Sequence, residues 1–138
     1  MTHGERVFVD TGAWVALAVV RDSFHDRARL QWEKLERAGA RLLTSLPVII
    51  ETFTFLDRRG SRELAQRWRE SLGTITRFEV LECGNADLTE AWRFLERKEF
   101  HRLGIVDATS FVLMRRHRVR TALAFDTHFS VAGFRYVE

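Results

Sequence analysis

Four acidic residues, far apart along the chain, lie in apolar sequence surroundings where a carboxylate is costly to bury without a partner. Asp10 ends the run VFV and Asp126 ends the run ALAF, and each is followed by a threonine. Glu51 interrupts PVIIETFTFL, and Asp107 interrupts GIVDATSFVLM. Four such acids in one chain indicate a single shared site that binds cations, rather than four unrelated features.

Taken one at a time, three of these acids have a simpler explanation as helix caps. Asp10, Asp107 and Asp126 each stand near a predicted helix start, where an aspartate accepts backbone N–H bonds, and Ser110 is at the receiving position for Asp107. Glu51 does not fit this explanation, because it lies within a predicted helix on a face that otherwise looks apolar. A glutamate in the interior at that point needs a partner or a metal ion.

Taken together, the acids predict a site for hard cations such as Mg²⁺ or Mn²⁺, which prefer carboxylate oxygens. Clustered acids repel one another, so without a cation one or more of them should hold a proton at a raised pKa. Two such ions about 4 Å apart can activate a water and stabilise the leaving oxygen when a phosphodiester is hydrolysed. The hydroxyls of Thr11 and Thr127 stand beside two of the acids and either orient the site or merely start a helix.

The elements that must position these acids alternate along the chain between short apolar strands and amphipathic helices. Strands are predicted at 6–10, 41–44, 78–81, 119–125 and 134–137. Helices are predicted from 11, over 24–37, 45–60 and 61–73, from a capping-box-like pair of Asp87 and Glu90, from Asp107 through Met114, and near 127. In this order the pattern predicts an α/β fold with a mostly parallel sheet covered on both faces, whose ligands lie beyond the carboxyl ends of the strands.

Several apolar residues within these helices are predicted to face the core. In the helix over 24–37 they are Ala28, Leu30, Trp32 and Leu35. The four tryptophans also fall at helical core spacing, and base stacking is the less favoured interpretation for them: Trp14, Trp32, Trp68 and Trp92.

Composition predicts one soluble domain over 1–138. The chain has 46% hydrophobic residues, and no apolar run approaches the roughly 20 residues that a membrane helix needs. Its single cysteine, Cys83, cannot form an internal disulfide, so we expect a reducing, cytoplasmic location. The net charge is +3, and the only lysines among 22 basic residues are Lys34 and Lys98. Arginine forks match phosphate oxygens, which weakly favours a nucleic-acid partner, although the base composition of the gene or thermal adaptation explains the arginine preference equally well.

The motifs around the four acids resemble those of PIN-domain ribonucleases, in particular the VapC-type toxins of bacterial and archaeal toxin–antitoxin pairs. The resemblance covers essentially the whole chain and rests on VFVDTGAW, PVIIETFTFL, IVDATSFVLM and ALAFDTHF in that order. It implies that Asp10, Glu51, Asp107 and Asp126 are the metal-binding and catalytic acids, with Thr11 and Ser110 near the site. It further implies an α/β/α sandwich, a Mg²⁺- or Mn²⁺-dependent endoribonuclease, a homodimer, and a cognate antitoxin that blocks the acid pocket.

The leading hypothesis is therefore a metal-dependent endoribonuclease. Two alternatives stay open: a PIN-fold nuclease of RNA processing, and a PIN-like module that binds RNA or protein without cleavage. Phosphoryl transfer through an aspartyl-phosphate is disfavoured, because DTGAW holds no second acid and no lysine follows a late strand.

Overall fold

The predicted strands form one five-stranded parallel sheet between helical layers; the structure, a computed structural model, describes residues 4–138. The strands are β1 (Arg6–Val9), β2 (Arg41–Ser45), β3 (Phe78–Leu81), β4 (Thr121–Leu123) and β5 (Arg135–Tyr136). Within 4–138 the α-helices are α1 (Thr11–Ala18), α2 (His25–Arg37), α3 (Leu46–Phe55), α4 (Arg62–Ser71), α5 (Asn85–Leu95), α6 (Ile105–Arg116) and α7 (His128–Val131). This is the predicted three-layer α/β/α sandwich.

Both faces of the sheet are covered. Successive residues of a strand point to opposite faces, and Val7, Phe8 and Val9 in β1 are nevertheless all fully buried. Such continuous apolar strands are typical of parallel sheets with helices on both sides. The middle of the sheet is therefore fully packed, and functional side chains are expected where the strands end.

The strand order creates a crevice in the middle of the sheet. The order is β3-β2-β1-β4-β5, so the connections run outward in one direction from β1 and in the other from β4. In open parallel sheets such a reversal leaves a gap beyond the carboxyl ends of the two central strands, where ligands bind. Asp10 directly follows β1 and Asp126 lies shortly after β4, so both flank this gap.

Two helix starts follow the local signals closely. The Ser45 hydroxyl accepts the Val48 N–H at the start of α3, and the Ser61 hydroxyl accepts the Leu64 N–H at the start of α4. α3 continues as a π-helical turn, Leu56–Gly60, which accounts for the helix predicted to end near Gly60.

Two predicted helix starts are wrong. α6 begins at Ile105 with Gly104 as its N-cap, so Asp107 lies in the first turn and is not the cap. The Asp87–Glu90 pair is not the capping box of α5, because the helix begins two residues before Asp87. Asp87 instead accepts the Gly84 N–H at 2.8 Å, as a residue in the third helical position does. Both errors placed a helix start at an acid that belongs to the first turn.

Most predicted core residues are buried, and two are not. Leu30 is 57% exposed on α2, and Trp92 is 51% exposed on α5. Trp14 does lie in the core, where it packs against the rings of Trp32 and Trp68, with centroids 5.6 and 5.8 Å away.

Among residues 4–138, the structure contains no helix with the length and hydrophobicity that a membrane span requires.

Candidate active site

Asp10 is held at the crevice by its own backbone. Its N–H donates to the carbonyl of Leu123 in β4, and its carbonyl accepts the N–H groups of Ala13 and Trp14, each at 3.1 Å. The residue occupies the N-cap position of α1, but its side chain makes no capping hydrogen bond. The carboxylate is only 3% exposed, and its Oδ1 has no hydrogen-bond partner within 4–138. A helix-cap role therefore does not account for this side chain.

The surroundings of Asp10 disfavour its charged form. Burial raises its pKa well above the usual range, and the nearby charge of Asp107 raises it further. Glu51 and Asp126 act in the same direction more weakly, while a hydrogen bond from the Thr11 backbone N–H lowers the pKa. The other three acids, which lie 41 to 116 residues further along the chain, thus each act on the Asp10 carboxylate.

Asp107 is the close partner of Asp10. Burial raises the pKa of Asp107 to about 7, and the charges of Asp126 and Glu51 contribute to this rise. A hydrogen bond with the Asp10 side chain and the charge of His128 lower it in part. Burial and the neighbouring like charges therefore favour the protonated form of these carboxyl groups when no cation is bound.

Glu51 approaches the site from α3, but it is not buried as the sequence predicted. The apolar face on which it lies points outward: Ile50 is 65% exposed, and Leu46 and Phe55 are also exposed. Glu51 and these residues line a cavity of about 770 Å³ beside the acid cluster, with Arg58 at its margin. The apolar residues one turn from Glu51 in the sequence do not form one buried face, because Val48 is fully buried and Phe55 is exposed.

Asp126 is fixed by contacts that the sequence only partly indicated. β4 ends at Leu123 rather than at 125, so Asp126 lies in the following segment. Its Oδ1 accepts the N–H of His128 at 2.7 Å and lies 2.7 Å from the Nδ1 of the same residue. The hydroxyl of Tyr136 in β5 donates to its carbonyl at 2.5 Å. Asp126 therefore stabilises the start of α7, as its cap explanation predicted, while it also faces the other acids.

The three hydroxyls predicted to support the site differ in their availability. Thr11 Oγ1 is buried without a partner within 4–138, so it is free to bind a ligand or a carboxylate. Ser110 is fully buried, and its hydroxyl already donates to the Val106 carbonyl one turn earlier in α6. Thr127 is exposed and makes no side-chain capping bond.

A buried polar link beneath the site was missed by the sequence. The Thr44 hydroxyl donates to the Val9 carbonyl at 2.9 Å and accepts the indole N–H of Trp14 at 3.2 Å. It joins the carboxyl ends of β1 and β2 to α1, on either side of Asp10. A threonine in an apolar strand gives no local signal of this role. Trp14 and Val9 are both distant from Thr44 in the sequence, and Val9 contributes a backbone carbonyl, which its side-chain type does not reveal.

The carboxylate oxygens of the site are suited to binding a hard cation. Within 4–138 no three acidic, histidine or cysteine side chains converge on one point, and the close contact is the Asp10–Asp107 pair. Mg²⁺ is commonly bound through one or two carboxylates, with water and substrate phosphate completing its shell. The unpaired Oδ1 of Asp10 and the mutual repulsion of the acids are what a bound cation would relieve.

The two arginines at the end of α6, Arg115 and Arg116, make contacts within the fold. Arg116 forms an ion pair with the buried Asp87. Arg115 donates to the Ala132 carbonyl and lies 5.0 Å from the centroid of the Phe94 ring. These contacts agree with a structural role for the two residues at the end of α6.

The sequence matches the PIN domain family over residues 7–135. It is 39% identical over 130 residues to the 23S rRNA-specific endonuclease VapC20 of Mycobacterium tuberculosis, covering 93% of this chain and 95% of that protein. A 54-residue segment, 38% of this chain and 40% of the relative, is 41% identical to the ribonuclease VapC26 of the same organism.

Two solved structures share the fold. The crystal structure of M. tuberculosis VapC20, a toxin that cleaves the sarcin–ricin loop, superposes with a TM-score of 0.79 at 33% identity. The superposition covers 93% of this chain and 95% of VapC20. VapBC2 from Rickettsia felis, solved with a DNA fragment from its promoter, gives a TM-score of 0.68 at 14% identity over 95% of this chain and 96% of that one. The second likeness is one of fold alone.

Proposed function

The chain belongs to the PIN-domain family, with VapC nucleases as its relatives, and on that basis we propose that it is a metal-dependent endoribonuclease and the toxin of a type II toxin–antitoxin pair. The observation that carries the proposal is the acid cluster at the crevice between β1 and β4. Burial and like charge raise the pKa values of Asp10 and Asp107, which is the arrangement of a site that functions with a bound cation.

Asp10 and Asp107 would hold the metal ion, Mg²⁺ or Mn²⁺, with Glu51 and Asp126 close enough to add their charge. When bound, the ion would supply a Lewis acid that activates water and stabilises charge on the phosphate. Binding of the ion would favour the charged form of both carboxyl groups, whose pKa values are raised without it. His128 contacts Asp126 through Oδ1, so Oδ2 of Asp126 is the acceptor atom left for the proton of the attacking water.

The proposed substrate is a structured RNA, and 23S rRNA is the first to test because the VapC20 relative is specific for it. The proposed protein partners are a cognate antitoxin and a second copy of this chain. The exposed apolar face of α3, formed by Leu46, Ile50 and Phe55, supports a protein partner at this position, since contiguous exposed apolar surface is commonly covered in a complex.

Cleavage of 23S rRNA by the purified protein tests the proposal. We expect cleavage with Mg²⁺ or Mn²⁺ and none with excess chelator. Asp10→Asn should lower the rate more than about 100-fold, since even residues that only orient metal ligands are worth 10- to 100-fold. Glu63→Gln, at an exposed glutamate of α4 paired with Arg67, is the matched control and should cleave normally.

Two outcomes would redirect the proposal. Full activity of Asp10→Asn would remove the acid cluster from catalysis. Absence of saturable Mn²⁺ binding in calorimetry would favour the binding module, and cleavage of a precursor RNA without toxicity in cells would favour an RNA-processing nuclease.

A further inference from the structure

Two phenylalanine rings are stacked beside the acid cluster. Phe24 and Phe125 lie parallel, with 4.5 Å between their centroids and 4° between their planes. Other aromatic pairs in the described part of the chain are tilted or edge-to-face, which is how rings pack within the aromatic clusters of the core. The parallel pair therefore has a different geometry from the core, and it can be extended by another flat ring.

The pair lies at the carboxyl edge of the sheet. Phe125 directly precedes Asp126, whose charge raises the pKa of both Asp10 and Asp107. Phe24 precedes the first residue of α2, and the stacking brings the start of this helix to the end of β4. Phe125 therefore precedes, along the chain, one of the acids proposed to act on the phosphodiester, and Phe24 stacks on its ring.

The outer ring is exposed and held in place. Phe24 is 40% exposed and does not belong to the main apolar core. Its backbone N–H donates to Asp22 Oδ1 at 2.8 Å, and the next residue, His25, contacts the Ala16 carbonyl through Nδ1 at 2.7 Å. An exposed ring on a fixed backbone loses little conformational freedom when a ligand stacks on it.

An arginine side chain lies beside the two stacked rings. The guanidinium of Arg27 lies 5.5 Å from the centroid of the Phe125 ring, within cation–π range. Arg27 is exposed and forms no ion pair within residues 4–138. Flat rings with an unpaired arginine beside them are the combination that single-stranded nucleic acid binds, through base stacking and phosphate contact.

We propose that Phe24 and Phe125, with Arg27, form a stacking subsite for an unpaired nucleobase next to the bond that is cut. The proposal rests on the proposed ribonuclease function and adds to it a residue that positions the substrate. A base would stack on the exposed face of Phe24, while Arg27 contacts a neighbouring phosphate. The simpler interpretation, a minor packing contact between α2 and the end of β4, predicts no effect on RNA.

The test uses a single-stranded oligoribonucleotide carrying 2-aminopurine, whose fluorescence falls when the base stacks. Its binding is measured with the Asp10→Asn protein, so that cleavage does not interfere. Adding Phe24→Ala should weaken binding about 5- to 100-fold and abolish the quenching, which is the effect expected for losing one stacked base. Phe24→Trp should restore both.

Three further variants separate stacking from packing and from stability. Phe24→Leu keeps the apolar volume and contact with Phe125 but lacks a flat ring, so it should bind as weakly as Phe24→Ala. Trp92→Ala removes a more exposed aromatic ring, on α5, and should bind normally. Arg27→Gln should lower the salt dependence of binding by about one phosphate contact.

The two proposals can fail separately. Normal binding and quenching with Phe24→Leu would overturn the stacking subsite, and an equal loss with Trp92→Ala would do the same. If the wild-type protein cleaves no RNA, the ribonuclease function fails, while quenching that depends on Phe24 would still establish a base-binding site.

Discussion

The carboxyl ends and the amino ends of the strands form two edges of the sheet that carry opposite charge. Two acids of the carboxyl edge are largely buried, and the arginines of the amino edge are exposed to water. At the carboxyl edge, Asp10 and Asp107 are largely buried, share a hydrogen bond and repel one another. At the amino edge, an arginine stands at the first position of β1, β2 and β5 and directly before β3 and β4: Arg6, Arg41, Arg135, Arg77 and Arg120. All five of these arginine side chains are exposed.

The arginines of the amino edge lie close together, but the repulsion between their charges costs little free energy. Arg6, Arg41 and Arg77 line one cavity of about 500 Å³, and Arg120 and Arg135 line another of about 650 Å³. Water screens their charges, and two of them also donate to backbone carbonyls, Arg6 to Arg118 and Arg77 to Gly39.

The two edges therefore differ in burial more than in the number of like charges. The five arginines are exposed and screened by water, whereas Asp10 is 3% exposed and its Oδ1 has no hydrogen-bond partner within residues 4–138. We expect the amino edge to be stable as it stands and the carboxyl edge to be stabilised by a proton or a cation.

The largest expected effect is on the pH dependence of stability in the metal-free protein. The pKa of Asp107 is raised from 3.8 to about 7 on folding, so the folded state binds more protons than the unfolded state between these values. Stability from this group is therefore present at low pH and is lost as the pH rises towards 7. Each unit corresponds to about 1.4 kcal/mol, so wild type should lose roughly 3 kcal/mol relative to Asp107→Asn between pH 5 and 8.

Urea denaturation of both proteins in chelator, at each pH, gives this difference directly. Asp57→Asn is the control, because Asp57 is paired with Arg62 and its pKa is lowered rather than raised. A constant difference between wild type and Asp107→Asn from pH 5 to 8 would show that the carboxyl edge is as well solvated as the amino edge.

The second effect is the stabilisation by a divalent ion. An ion that binds only the folded state stabilises it by about 2.7 kcal/mol when its concentration is 100 times the dissociation constant. We expect Mn²⁺ to raise the melting temperature of the wild type at pH 7.5 and to have little effect on Asp10→Asn. Equal stabilisation of both proteins would place the ion elsewhere.

The sequence was sufficient to predict those features of the two edges that depend on local sequence pattern. Short apolar runs and helix signals located all five strands, and the placement of Asp10 after a strand in a parallel sheet was enough to predict the edge at which it lies. The chemical types of the four acids predicted a shared site; the other three acids all raise the pKa of Asp10, and the assignment of the site stays a prediction.

The parts that depend on distant partners were not predictable. Periodicity shows that α3 has an apolar face but not which way the face points, so Glu51 was expected to be buried and is exposed. The contact between Tyr136 and Asp126, and the stack of Phe24 on Phe125, each join residues on different elements. No pattern within a single segment carries that information.

The third effect compares two buried threonines, one at each edge. Thr44→Val leaves the Trp14 N–H and the Val9 carbonyl without their partner, and we expect a loss of about 2 kcal/mol in unfolding free energy. Thr121→Val at the amino edge removes a hydroxyl that donates to Glu5 at 2.8 Å. Glu5 is partly exposed, so water can replace that bond and the loss should be smaller. Equal losses in urea denaturation would remove the distinction between the edges.

The smallest effect is expected at the amino edge itself. Arg41, Arg120 and Arg135 form no side-chain hydrogen bond or ion pair within residues 4–138, so changing each to glutamine should alter the unfolding free energy by less than about 0.5 kcal/mol. A short single-stranded RNA reaches only the acid cluster, and the triple variant should cut it at the wild-type rate. A tenfold slower rate on that RNA, with the fold intact by circular dichroism, would mean that the substrate contacts both edges at once. The arginines would then belong to the active surface, and exposure alone would not separate a solvated cluster from a functional one.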